Sequence, residues 1–183
     1  VSADEDFARF VNPFVGTAGH GHTFPGATVP FGMVQLSPDT RTDGWDAASL
    51  YHDSDRDIIG FSHTHLSGVG GNDYGDILLM PTIDERHLEP GTPEEAASPG
   101  YYRVRLRDYD VLAELTATTR VGVHRYTFPE TGEARIILDL RHRRGEQSSR
   151  GAITVLSGTE ITGYRVSRGW AEDQPVFFHA EFS

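Results

Sequence analysis

The sequence predicts an all-β fold, a mostly antiparallel β-sandwich with long loops that form a site. Apolar and polar residues alternate over short runs, which is the pattern of a half-buried strand. Turn residues separate these runs at intervals of about 8–12 residues, as they do in sandwiches and barrels. Few segments show the 3.6-residue period of an amphipathic helix. These three observations favour packed antiparallel sheets.

The second half of the chain carries the clearest strand signals. At 102–106 the apolar residues Tyr102, Val104 and Leu106 alternate with arginines, and an Asp-Tyr-Asp turn follows at 108–110. Further strands are predicted at 113–118, 121–128, 134–140, 152–156, 160–167 and 176–182. The last run is apolar and β-prone, so as an edge strand it would promote association unless another strand covers it.

The first half of the chain is less regular. Strands are predicted at 33–36, 58–61 and 77–80, joined by long loops rich in glycine, aspartate and histidine. Long loops in a compact domain are usually functional or disordered, and the aromatic residues in these loops argue against disorder. A stretch rich in proline and glutamate at 85–100 is predicted to be an excursion on the surface.

Composition excludes several classes of function. The chain has 183 residues, enough for one domain, and a formal net charge of −11 with no lysine. This acidic balance argues against nucleic acid or an anionic membrane as a partner. Without cysteine there is no disulfide, thiol nucleophile or thiolate metal site. No run approaches the ~18 apolar residues of a membrane-spanning helix, so membrane insertion is not expected.

A glycine-rich loop and a tryptophan are the candidate binding features. Glycines in the loop at 19–26 let the backbone approach a ligand, and no Gly-Lys-Ser/Thr sequence follows that would make it a phosphate loop. Trp45 lies in a polar Asp-Gly-Trp-Asp turn. Its ring could stack on a pyranose while the aspartates accept sugar hydroxyl protons, and plain packing is the alternative.

Two His-x-His pairs invite a metal interpretation. Residues two apart share one face of a strand, so His20 with His22, or His63 with His65, could bind a metal from one side. No glutamate follows either pair at the four- or five-residue spacing of a cupin site. Hydrogen bonding to loop backbone and contact with a sugar or another domain are therefore favoured over metal ligation, and no metal ligand is assigned.

Several motifs together carry a resemblance to a known family. They are GHGHTFPGATVPFGM at 19–33, GWD at 44–46, GFSHTHLSG at 60–68, DYGD at 73–76, GYR at 163–165 and RGW at 168–170. With these motifs the chain resembles, from 11 to its last residue, the amino-terminal domain of glycoside hydrolase family 92. Members of that family are calcium-dependent, exo-acting α-mannosidases.

The resemblance implies where the chemistry lies. In the family the glycine loop and the Gly-Trp-Asp segment reach the pocket of the terminal mannose. The candidate substrate-binding residues are therefore Phe24, Gly26, Trp45, Asp46, His20 and His22. The family's general acid, general base and Ca²⁺ ligands lie in a helical barrel domain that is absent here, so no catalytic or metal residue is assigned. Residues 1–183 are expected to be a β-sandwich domain cut near its C-terminal end and inactive alone.

The implied function is that of one pocket wall in a secreted or cell-envelope bacterial enzyme that hydrolyses terminal α-mannosides of glycans by inversion. A signal peptide is absent from the polar start at 1–6. Two alternatives remain: a carbohydrate-binding sandwich that acts alone, and an enzyme that releases mannose from mannose-1-phospho-6-mannose. The residues at 69–72 depart from the family pattern and could bear on linkage.

Overall fold

Two antiparallel sheets packed face to face form the body of the domain. The computed structural model describes residues 6–68, 73–83, 94–142 and 150–183. Its strands are β1 (Ala27–Thr28), β2 (Gln35–Asp39), β3 (Gly60–Ser62), β4 (Leu78–Thr82), β5 (Glu94–Ser98), β6 (Tyr101–Leu106), β7 (Val111–Ala117), β8 (Gly122–Thr127), β9 (Arg135–Asp139), β10 (Arg150–Val155), β11 (Glu160–Ser167) and β12 (Gln174–Glu181). The five-stranded sheet has the order β1-β2-β3-β4-β9 and the four-stranded sheet the order β5-β6-β7-β8. Short 3-10 helices occupy Phe7–Phe10 and Trp45–Ala47.

The hydrophobic core lies between these two sheets. From the four-stranded sheet, Tyr102 and Val104 are fully buried in it while the arginines between and beside them stay exposed. From the five-stranded sheet, Leu36 and Phe61 contribute fully buried side chains. Burying a side chain of this size stabilises a fold by about 1.5–3 kcal/mol, so these positions define the sandwich.

On β2 and β3, the face of the five-stranded sheet that turns away from the core is polar and also buried. Because side chains alternate along a strand, Ser37 and Asp39 of β2 point away from the core, and Ser62 of β3 pairs with Ser37 on the same face. Loops from the first half of the chain cover this face instead of a second apolar layer. The predicted site residues lie on these loops.

A third sheet, of order β10-β11-β12, attaches to the sandwich through polar contacts. Arg165 Nη1 donates to Gly75 O at 2.8 Å, and Ser167 Oγ donates to Asp76 Oδ1 at 3.2 Å. Several apolar side chains on the rest of this sheet are exposed, including Val155 and Phe177. The sheet is therefore fixed to the sandwich at one end.

The structure confirms the all-β antiparallel prediction and corrects parts of the strand plan. Residues 94–98, predicted as part of a surface excursion, form β5, and β2 extends beyond the predicted 33–36 run to Asp39. The two-residue strand β1 was not predicted because it is too short for alternation to show. Residues 85–93 of the predicted excursion and the variant stretch at 69–72 lie outside the described residues.

Candidate functional site

The glycine-rich loop folds back on itself. Thr23 N donates to Gly16 O at 3.3 Å, and Gly16 has a φ of 85°, a conformation that favours glycine. A Cβ atom at Gly21 would lie 2.0 Å from Gly16 O, and one at Gly16 would lie 2.9 Å from the Thr23 side chain. These glycines are thus required by the loop's own close packing.

Neighbouring segments fix this loop through its carbonyl oxygens. Asp53 N donates to Thr17 O at 3.0 Å, and Ser49 Oγ donates to Thr23 O at 3.0 Å. From a third segment, Gly68 N donates to His22 O at 2.7 Å. These bonds restrain the loop, which reduces the entropy lost when a ligand binds.

Trp45, Asp46, His20 and His22 form one cluster, in which Trp45 and His20 are exposed and His22 is buried. The edge of the His22 ring meets Trp45, with centroids 5.2 Å apart and planes at 66°. Asp46 Oδ1 lies 2.5 Å from His20 Nδ1 and 3.4 Å from His22 Nε2. The hydrogen bond with His20 holds the pKa of Asp46 below its usual value. The Trp45 residue is 61% exposed, so its ring is held at the surface rather than packed in a core.

Phe24 belongs to the same loop and is half-buried. Its ring contacts the imidazole of His65 with centroids 5.0 Å apart and planes at 38°. His65 is buried, and its Nε2 lies 2.5 Å from the buried carboxylate of Asp39. Through His65, the polar face of the five-stranded sheet thus supports Phe24.

Gly26 has a structural explanation. A Cβ atom there would lie 2.2 Å from Leu36 O and 2.3 Å from Ser37 Cβ. The glycine is therefore needed for the close approach of the loop to β2, next to the pairing of Ala27 with Leu36. Its proposed contact with a sugar stays a prediction.

The second histidine pair makes hydrogen bonds to backbone carbonyl oxygens. His63 Nδ1 lies 2.6 Å from Ile77 O, and His65 Nδ1 lies 2.8 Å from Gln35 O. Since a carbonyl oxygen only accepts, both nitrogens donate. In the described parts of the chain, no group of three or more His, Cys, Asp or Glu side chains is placed to hold a metal ion.

Two aspartates and one histidine were missed as organising residues. Neither Asp39 nor His142 was assigned a role, yet His142 Nε2 lies 2.7 Å from Asp39 Oδ2. Asp73 was quoted only within a motif, yet its carboxylate accepts from Trp170 N at 3.0 Å. The signal that could have identified Asp73 was the Asp-Tyr-Gly-Asp sequence at 73–76, which lies between two apolar runs. In such a sequence a solvent-exposed turn and a buried anchor look alike.

Comparison with known proteins places the chain. The family model for the glycosyl hydrolase family 92 N-terminal domain matches residues 10–183. A family 92 alpha-mannosidase from Bacteroides thetaiotaomicron, solved in complex with mannoimidazole, is 42% identical and superposes with a TM-score of 0.89 over 98% of this chain and 25% of that one. A second structure of the same enzyme gives the same identity and TM-score, and this chain covers 26% of it.

A protein of Arthroderma benhamiae described as an uncharacterized secreted glycosidase is 27% identical over 92% of this chain and 22% of its own length. The chain thus spans about a quarter of the length of these relatives. Among the described residues, none of the helices has the length and apolar character needed to cross a bilayer. Because the matched family model spans nearly every residue, the chain belongs to the glycosyl hydrolase family 92 N-terminal domain family.

Proposed function

We propose that this domain forms one wall of the pocket that holds a terminal α-mannose in an exo-acting, inverting α-mannosidase. The observation that carries the proposal is Trp45, an exposed ring held by the edge of His22 and flanked by a carboxylate with two imidazole partners. The structural likeness to an alpha-mannosidase of Bacteroides thetaiotaomicron supports the choice of sugar.

Each group has a role that its chemistry allows. The Trp45 face stacks on the C–H face of the ring, and its 61% exposure leaves room for that contact. Asp46 and His20 present polar atoms to sugar hydroxyls beside it, and the preformed loop reduces the ordering entropy of binding. This domain supplies binding and orientation, while the acid and base belong to the remainder of the enzyme.

Calcium is expected in the same enzyme but not on this domain. The described residues offer no group of three or more His, Cys, Asp or Glu side chains that could hold it. From the resemblance to the family, we assign Ca²⁺ mainly to the remainder of the enzyme. We also propose that the enzyme is secreted or located in the cell envelope. The name of the Arthroderma benhamiae relative, a secreted glycosidase, supports this location.

The test uses the full-length protein that contains this chain. We expect it to hydrolyse an aryl α-mannoside and an α-linked mannobiose, with β-mannose as the first product by NMR, and to lose activity on chelation of calcium. Aryl α-glucoside and α-galactoside serve as controls. Mannose-1-phospho-6-mannose is assayed in parallel, because its release as the preferred reaction would identify the other enzyme class considered above.

Residues 1–183 are tested alone in a second arm. We expect no turnover of any mannoside with or without Ca²⁺, because no acid/base pair can be assigned in the chain. Mannoside hydrolysis by this chain would refute that assignment. Tight mannose binding by the chain, together with an inactive full-length protein, would instead favour the carbohydrate-binding module.

A further inference from the structure

A buried cluster of charge lies directly under the candidate pocket. Asp39 and His65 have fully buried side chains, and His142 is nearly so. Asp39 Oδ1 lies 2.5 Å from His65 Nε2, and Asp39 Oδ2 lies 2.7 Å from His142 Nε2. The second contact has the distance of a hydrogen bond but not its alignment. One carboxylate thus lies between two imidazoles on the polar face of β2.

The hydrogen-bond partners of His65 define its protonation. Its Nδ1 lies 2.8 Å from Gln35 O, a carbonyl that can only accept. Its Nε2 faces an Asp39 oxygen and, at 3.3 Å, the hydroxyl of Ser62. With Asp39 ionised, both ring nitrogens donate, which is the imidazolium form. Asp39 and His65 are therefore a buried ion pair.

The charge on Asp39 is consistent with this arrangement. Burial by itself would raise the pKa of the carboxyl group, but the neighbouring His65 and His142 outweigh burial and hold the pKa below its usual value. A buried ion pair restricts the orientation of its members. Both charges have lost their solvation, and only a well-placed partner compensates that loss. The His65 ring therefore has one permitted orientation.

That ring is the surface on which Phe24 lies. The centroids of Phe24 and His65 are 5.0 Å apart, with the planes inclined by 38°. The backbone N–H of His65 also donates to Gln35 Oε1 at 3.3 Å, which restrains the main chain at this residue. Asp39 orients His65, and His65 supports Phe24. Phe24 belongs to the candidate pocket, whereas Asp39 is beyond the reach of a ligand.

We propose that the Asp39–His65 ion pair is a positioning unit that sets the orientation of Phe24 in the sugar pocket. The inference rests on the proposed function, since it assigns a role within the same site. It also explains why a strand of a sandwich carries a charged residue on a buried face. Asp39 and His65 are positioning residues in this scheme and neither touches the substrate.

The first experiment separates positioning from folding. In the full-length protein, Asp39→Asn is compared with Glu95→Gln, which alters a part-buried carboxylate held by Tyr51 and Tyr102 away from the Phe24 contact. We expect Asp39→Asn to raise KM for the aryl α-mannoside by about 10- to 100-fold, because a displaced pocket group weakens binding in the productive geometry. Glu95→Gln is expected to leave KM unchanged. Equal KM values for wild type and Asp39→Asn would overturn the proposal.

The second experiment reads the position of Phe24 without activity. With 4-fluorophenylalanine at position 24, we expect the 19F shift to move in Asp39→Asn and to stay at the wild-type value in Glu95→Gln. If Asp39→Asn does not fold, the double variant Asp39→Asn/His65→Gln replaces the ion pair by neutral hydrogen-bonding groups and is measured in its place. An unchanged 19F shift in the folded variant overturns the positioning role. An inactive wild type with a shifted 19F signal overturns the mannosidase proposal alone.

Discussion

His124 Nε2 lies 3.0 Å from His63 Nε2, so one proton joins two half-buried imidazoles. Because His63 Nδ1 donates to Ile77 O, its Nε2 accepts, and His124 Nε2 must be the donor. His124 Nδ1 then accepts from Tyr126 Oη at 2.7 Å. The chain of bonds has one consistent direction, and both rings are neutral. Burial, chiefly, lowers the pKa of each histidine.

We expect this histidine pair to make the domain less stable in acid. Below the ordinary histidine pKa of 6.5, the unfolded chain binds protons at these two histidines, whereas the folded pair stays neutral. The free energy of unfolding therefore falls as pH decreases. Chemical denaturation between pH 7.5 and 5 measures this slope. His124→Gln should flatten it, whereas the same change at the exposed His179 should not. Equal slopes in both variants would contradict the assignment.

Trp45→Ala is expected to damage sugar binding more than folding. The ring is 61% exposed and packs on one edge of His22, so its loss leaves little apolar area newly exposed. Loss of a stacking aromatic removes about 0.5–1.5 kcal/mol, which corresponds to about a 2- to 13-fold rise in KM of the full-length protein. Trp170→Ala, at a 75% exposed residue, is the control. A large fall in Tm with unchanged KM would make Trp45 a packing residue.

Gly26→Ala is expected to destabilise the domain. The new Cβ would lie 2.2 Å from Leu36 O, a backbone atom that cannot rotate away, so β1 and β2 must separate. Overpacking of this kind usually costs about 1–3 kcal/mol in the free energy of unfolding. Gly132→Ala is the matched control, since a Cβ there meets nothing within 4 Å. If Gly26→Ala leaves the free energy of unfolding unchanged but weakens sugar binding, Gly26 is a ligand-contacting residue instead.

Asp73→Asn is expected to release the loop that carries Trp170. The buried carboxylate accepts from Tyr74 N, Trp170 N and Gln174 Nε2, and an asparagine amide would place a donor against one of these donors. Such a mismatch costs about 1–3 kcal/mol. Amide hydrogen exchange at Trp170 should accelerate. Asp173→Asn removes an exposed ion pair with Arg150 and should leave that exchange rate unchanged.

The sequence was most informative where one face of a strand meets water. Tyr102, Val104 and Leu106 were predicted to face the core, and they do, because the arginines between them could only be solvated. Alternation was uninformative for β2 and β4, which are buried on both faces. A strand covered by a polar loop layer on one side reads as irregular, and this is why the end of β2 at Asp39 was missed.

The sequence predicted several residues of the site but not the contacts between them. Unusual composition identified the glycine loop, Trp45 and Asp46, and the structure brings the last two together with His20 and His22. The link from Phe24 through His65 to Asp39 joins residues far apart in the chain. No spacing rule could supply it, because loop closure and not strand periodicity determines these distances.

The stretch between Gly68 and Asp73 begins and ends at fixed points. Gly68 N is bonded to His22 O of the glycine loop at 2.7 Å, and Asp73 is bonded to the loop of the third sheet. Both residues that flank 69–72 are therefore held by other segments of the domain, and libraries varied at 69–72 can be screened for altered glycan preference with those two flanking bonds kept.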